Sequence, residues 1–169
     1  MKFRDIPQFT RVGSYQVNMR LDWFVKWIKE NQEECGLEMN PDFQRDHVWT
    51  EQQQIAYIEF LLRGGKSGRV LYFNCPCWSL GGRDEEFVCV DGLQSSTAIV
   101  RFINNEIPAF GTYYKDFEDD LPMEVDVIVN VNELKTKREV LQWYIEMNEG
   151  GTPHSQDEID RVKQMMTDM

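Results

Sequence analysis

The chain has 169 residues, 41% of them hydrophobic and 12% aromatic, with five Trp; this excludes a disordered polymer and allows one well-buried core, but not two full domains. Eighteen Lys and Arg against 29 Asp and Glu leave a net charge of −11, which repels phosphodiester backbones and excludes broad nonspecific DNA binding, while a local basic groove stays open. The four cysteines (Cys35, Cys75, Cys77, Cys89) and two histidines (His47, His154) lack zinc-ligand spacing and no leader or long apolar run is present, so the reading is a cytoplasmic protein with reduced thiols, no structural metal and no membrane contact.

In chain order, the opening stretch MKFRDIPQF has no clear period. Leu21, Phe24, Val25 and Ile28 then recur at helical spacing and predict a first helix, closed by Gly36. A short extended piece over residues 37–39 leads into NPDFQRDHVW. Thr50 with Gln53 is a capping box opening a second helix that runs to Gly64 and Gly65. Arg63, Lys66 and Arg69 around its end form, with Arg45, either a local basic groove or an ordinary solvated helix end.

Val70–Asn74 and residues 86–90 (EFVCV) are short β-rich runs around a Gly81-Gly82-Arg83-Asp84 turn, predicting two paired strands, with Cys75 and Cys89 in the core. The second strand delivers the chain to Asp91-Gly92, and a third helix is expected over about residues 95–104, with Ala98, Ile99 and Phe102 on one face. The acidic group Asp116, Glu118, Asp119 and Asp120 reads as a solvated loop, with a hard-metal site as the alternative. Residues 123–131 alternate as a strand with one buried face. Two further capping boxes, Thr136 with Glu139 and Ser155 with Glu158, mark helices four and five. Between them, NEGGTP at residues 148–153 is either an interhelical turn or a ligand-facing loop.

Three of these segments have the residue types of a phosphate or nucleotide site. In VDGLQSSTAI a strand ends on Asp91, Gly92 permits a tight turn, and the amides of residues 93–96 can face an anion at a helix N-terminus, beside the hydroxyls of Ser95, Ser96 and Thr97. Taken alone, the segment reads first as an ordinary strand-to-helix turn with Ser as a cap. In NPDFQRDHVW, Gln44 and Arg45 lie between the aromatics Phe43 and Trp49, where guanidinium and amide could meet a phosphate or a base edge, or where Arg45 is a structural arginine.

Taken together, NPDFQRDHVW, VDGLQSSTAI and NEGGTPHS resemble the three motif blocks of the DGQQR-type domain, a ParB/sulfiredoxin-like fold found in GmrSD-type modification-dependent restriction endonucleases and related phage-defence proteins. The resemblance covers residues 15–165 and implies a single domain over 1–169, of the α/β (α+β) class, with a small mixed sheet flanked by about five helices. In that family the aspartate-glycine-glutamine block binds or hydrolyses nucleoside triphosphates, usually in company with an HNH-type nuclease domain. Carried over, the resemblance implies ligand contacts from Gln44, Arg45, Gly92, Leu93, Ser95, Ser96, Asn148, Gly150 and Gly151. Asp91, Gln94 and Arg45 are then the candidate catalytic residues, and Mg²⁺ would accompany an NTP.

One position departs: Ser95 stands where the family has Arg. A fixed cation at a phosphate stabilises the charge that develops during transfer, so binding is expected to survive this change better than hydrolysis. Three readings follow. The leading one is an NTP- or phosphate-binding domain of a phage or bacterial defence-type system with weakened hydrolysis. The second is an active NTPase or DNA nuclease component working with a partner nuclease, with DNA reached through a local groove. The third is an acidic protein-binding module, such as a phage inhibitor of a host protein.

Overall fold

The computed structural model describes residues 1–8, 15–44, 49–81, 86–150 and 156–169. Its elements, in chain order, are β1 (Tyr15–Arg20), α1 (Leu21–Cys35), α2 (Glu51–Leu62), β2 (Val70–Asn74), β3 (Val88–Asp91), α3 (Leu93–Ile103), β4 (Asp126–Asn132), α4 (Lys137–Gly150) and α5 (Gln156–Thr167). The sheet order is β1-β4-β2-β3, with β2 and β4 parallel and the two outer pairs antiparallel. The fold is thus α/β, with a mixed four-stranded sheet and five α-helices among the described residues.

Strand alternation divides the interior in two. Val127, Val129 and Val131 of β4, with Leu71 and Phe73 of β2, face α1, α2 and α3, where they meet Leu21, Phe24, Ile28, Ile58, Leu61, Ile99 and Phe102. Trp27 of α1 joins this layer, its ring edge-on to Phe73 at 5.0 Å and to Phe87 at 5.9 Å. On the other face, Val88 and Val90 of β3 pack with Phe43, Leu134 and the apolar faces of α4 and α5, chiefly Leu141, Tyr144, Ile159 and Val162. Cys75 and Cys89 are fully buried in the first layer as expected, and all four cysteines are free thiols.

Several boundaries follow the local chemistry read from the sequence. Gly36 closes α1 in the left-handed region at φ 64°, and Thr50 and Gln53 form a reciprocal capping box at α2. Thr136 and Glu139 do the same before α4, the Glu139 amide donating to Thr136 Oγ1 at 3.2 Å. The Ser155 capping position lies outside the described residues, and Glu158 is buried and accepts from the Tyr144 hydroxyl at 3.1 Å.

Other expectations are corrected. β1 follows the stretch that showed no period: its Gln16 and Asn18 are exposed and its Val17 and Met19 only half-buried, so no strong apolar alternation announces it. The strand expected over residues 123–131 starts at Asp126, because the segment before it turns back with the Val125 amide on the Pro122 carbonyl. The third helix begins at Leu93, two residues early, and α4 runs through Asn148 to Gly150, where both readings, an interhelical turn and a ligand-facing loop, had the helix already ended. Arg69 belongs neither to a basic groove nor to a solvated helix end. It is buried, with Nε donating to the Asp126 carbonyl at 2.9 Å and the guanidinium paired with the Asp126 carboxylate.

Asn74 is the polar joint between β2 and the chain leaving β4. Only 1% exposed, it donates to the Leu134 carbonyl at 3.0 Å and accepts from the Leu134 amide at 2.8 Å. Asn74→Ala leaves both peptide groups buried without partners and is expected to lower unfolding free energy by about 2–4 kcal/mol, read as a shift in denaturant midpoint. At the start of α1, the Arg20 guanidinium holds the Asp22 carboxylate at 2.6 Å and lowers its pKa through that hydrogen bond. A carboxyl lowered on folding contributes above its unfolded pKa and loses the contribution as pH falls through the folded value. Asp22→Asn should therefore destabilise slightly, by under about 1 kcal/mol, at neutral pH and reduce the acid sensitivity of the melting temperature.

Candidate functional site

The site forms where β3 becomes α3. β2 pairs Tyr72 with Asp91 but Phe73 with Cys89, so Val90 is an extra residue on β3, a β-bulge. The bulge resets the alternation and brings Asp91 opposite Tyr72. Burial first, and the Asp91 carboxylate second, raise the Tyr72 pKa. The Gln44 side chain holds this irregularity: it is 6% exposed, and its amide nitrogen donates to the carbonyls of Cys89 at 2.9 Å and Val90 at 2.6 Å.

Gly92 then makes the turn at φ 130°. A side chain there would be strained, and a Cβ would lie 2.8 Å from Leu71 Cδ2 and 3.5 Å from Leu71 Cα. The Gly92 carbonyl accepts from the Ser96 amide at 2.8 Å, so the amides of Leu93, Gln94 and Ser95 precede the first intrahelical donor and have no intrahelical acceptor. Gln94 Oε1 accepts from the Trp49 amide at 2.8 Å, and its amide nitrogen makes no hydrogen bond among the described residues. The Trp49 carbonyl accepts from Gln54 at 3.1 Å, and Gln54 in turn accepts from Arg101 at 2.6 Å. Arg101 is also bonded to Glu51 and Glu106. Burial raises the pKa of the Tyr57 hydroxyl, with neighbouring Ser95 acting in the opposite direction, and that hydroxyl donates to the Gly68 carbonyl at 2.8 Å.

Gln44, Trp49, Asp91, Gly92, Leu93, Gln94 and Ser95 line one small pocket of about 110 Å³. That is well below the roughly 300–1,000 Å³ of whole-ligand sites and suits a phosphoryl-sized group. The first two motif segments thus converge there. The third does not reach it among the described residues: Asn148 is buried, its amide donates to the Tyr144 carbonyl at 2.6 Å, and Gly150 ends α4. Ser96 is 1% exposed and not in the lining, with no partner for its Oγ, and Thr97 Oγ1 bonds back to the Leu93 carbonyl at 2.8 Å. Arg45 and Gly151 lie outside the described residues.

Sequence reasoning did not single out buried Gln54 and half-buried Arg101, the relay behind Trp49. Neither has a motif, and the only trace is their position on helices either side of the site. No group of three or more His, Cys, Asp or Glu among the described residues is placed to hold a metal ion, and no described helix is long and apolar enough to cross a membrane. Compared with known proteins, the chain matches no protein-family model, no curated protein and no solved structure.

Two substitutions separate the turn from its support. Gly92→Ala meets both an unfavourable φ and the Leu71 side chain, so it should destabilise by about 2 kcal/mol or more and reshape the turn. Gln44→Ala removes the donor for two bulge carbonyls and should lower stability by about 1–3 kcal/mol, with faster amide exchange localised at the end of β3.

Proposed function

We propose that the chain is a phosphate-recognising domain of the ParB-like DGQQR type, directed at nucleoside triphosphates, with hydrolysis weakened by Ser95. The observation that carries this reading is the convergence of Gln44 with Asp91, Gly92, Gln94 and Ser95 on one pocket at the start of α3. There, amides without intrahelical acceptors and the positive end of a helix dipole favour a phosphoryl oxygen. The Gln94 amide nitrogen is a further donor.

The pocket wall also carries a carboxylate, Asp91, which opposes a bare anion. This fits a nucleotide that arrives with Mg²⁺: a single carboxylate plus phosphate oxygens is the usual donor set for that ion, and Asp91 is the residue that would hold it. Bound there, Mg²⁺ would neutralise phosphate charge. In this reading Gln94 and the turn amides orient the phosphates, and Arg45 is the cation carried over from the motif. DNA or a partner nuclease subunit, within a defence-type system, belongs to the same proposal.

A second reading, an acidic protein-binding module, is supported by Phe110. It is 56% exposed at the tip of a two-residue turn, in the left-handed region at φ 50°, and exposed carboxylates of Asp116, Glu118, Asp119 and Asp120 follow it. Such backbone strain at an exposed aromatic is a mark of recognition surfaces.

Calorimetry with inorganic tripolyphosphate and a panel of NTPs, with and without Mg²⁺, tests the leading reading. Binding is expected for the wild type, with Gln94→Ala weakening it about 5- to 10-fold, and absence of heat with every ligand sinks it. Ser95→Arg should raise phosphate release above the wild-type level, measured by a coupled colorimetric assay. Under the second reading a partner binds with strong salt dependence and is lost in Phe110→Ala but not in Asp91→Ala.

A further inference from the structure

The α4–α5 pair was expected to bring its loop to the pocket, yet its described contacts reach the site by another route. Arg161 of α5 sends Nη2 to the Gln44 carbonyl at 2.9 Å and to the Phe43 carbonyl at 3.4 Å. Among the described residues it has no carboxylate partner. From α4, the Tyr144 ring meets Phe43 edge-to-face at 5.4 Å, and its hydroxyl reaches Glu158 of α5. Residues 43 and 44 are therefore gripped by both helices. The Gln44 side chain in turn grips the bulge that aims Asp91 and opens the pocket.

We propose that Arg161 is the positioning residue of the pocket, fixing the Gln44 main chain so that its side chain holds the β3 bulge in register for a phosphate. This rests on the phosphate-binding reading above. A guanidinium suits the task because a nitrogen of its rigid, planar head, here Nη2, carries directed donors to both adjacent carbonyls. A lysine ammonium also has N–H donors, but on a flexible stem and without the fixed plane that directs them. Freed from Arg161, residues 43 and 44 keep their apolar contacts but lose the bond that sets their depth. Displacements of about an ångström at a preorganised site are enough to weaken binding strongly.

The control is Arg138 of α4, whose Nη1 donates to the Met166 carbonyl of α5 at 3.1 Å and which touches neither Gln44 nor the pocket lining. Arg161→Met, Arg161→Lys and Arg138→Met are compared in the full chain for melting temperature, affinity for tripolyphosphate and Mg²⁺-NTP, and backbone amide resonances without ligand. The expected result is similar small melting shifts for the two Met variants. Only Arg161→Met should weaken tripolyphosphate, by about tenfold, and move the Cys89, Asp91 and Gly92 amide resonances. Arg161→Lys should recover part of the affinity, and it carries the comparison alone if Arg161→Met does not fold. Wild-type affinity in the Arg161 variants, or an equal loss in Arg138→Met, overturns the inference and leaves the phosphate reading standing. Failure of the wild-type protein to bind any of these ligands overturns both.

Discussion

The hydrogen bonds from the buried Gln44 amide to the Cys89 and Val90 carbonyls are the constraint on which the site depends. A bulge interrupts the ladder and leaves peptide groups that must find partners elsewhere when buried. One side chain, brought from 45 residues earlier in the chain, supplies them. Without it the end of β3 would either regularise, returning Asp91 to the opposite face, or leave two carbonyls unpaired in the core.

Around this point the molecule separates two tasks. The layer of α1, α2 and α3 is apolar and dense with aromatic rings, and it holds the sheet rigid. The turn into α3 sits at its rim, where Leu71 beneath Gly92 leaves no space for a side chain and the Trp49–Gln54–Arg101 relay fixes the wall opposite. The α4–α5 layer packs Tyr144 against Phe43 and Trp143 against Tyr72, so the strand pair that bears Asp91 is covered on both faces. Such support holds the walls of the polar pocket in place from both sides of the sheet.

Much of this was legible in the residues. Capping boxes at Thr50 and Thr136, the glycine closing α1, and the apolar period of α1 are local signals, and local hydrogen bonding decides those boundaries. The turn at Asp91-Gly92 was legible for the same reason. β1 was not, because its inward residues are half-buried and its outward ones polar, so its place comes from pairing with β4 more than 100 residues away. Arg69 looked like a surface cation since nothing near it in sequence betrays Asp126. Gln44 was singled out as a ligand contact from its aromatic and cationic neighbours. Its bonds to the bulge are a tertiary fact, invisible until β3 is in place.

The sheet order also bears on how the chain assembles. β4 lies between β1 and β2, pairing antiparallel with one and parallel with the other, and both neighbours precede it in the chain. Loop closure over such separations is entropically demanding and slows folding relative to local hairpins. The β2–β3 hairpin and the α2–α3 contact can form early from nearby residues. The register of Tyr15–Arg20 can be fixed only once Asp126–Asn132 has arrived. During synthesis, the Asp91-Gly92 turn would then be built on a half-sheet, and the outer strand would be the last piece to lock.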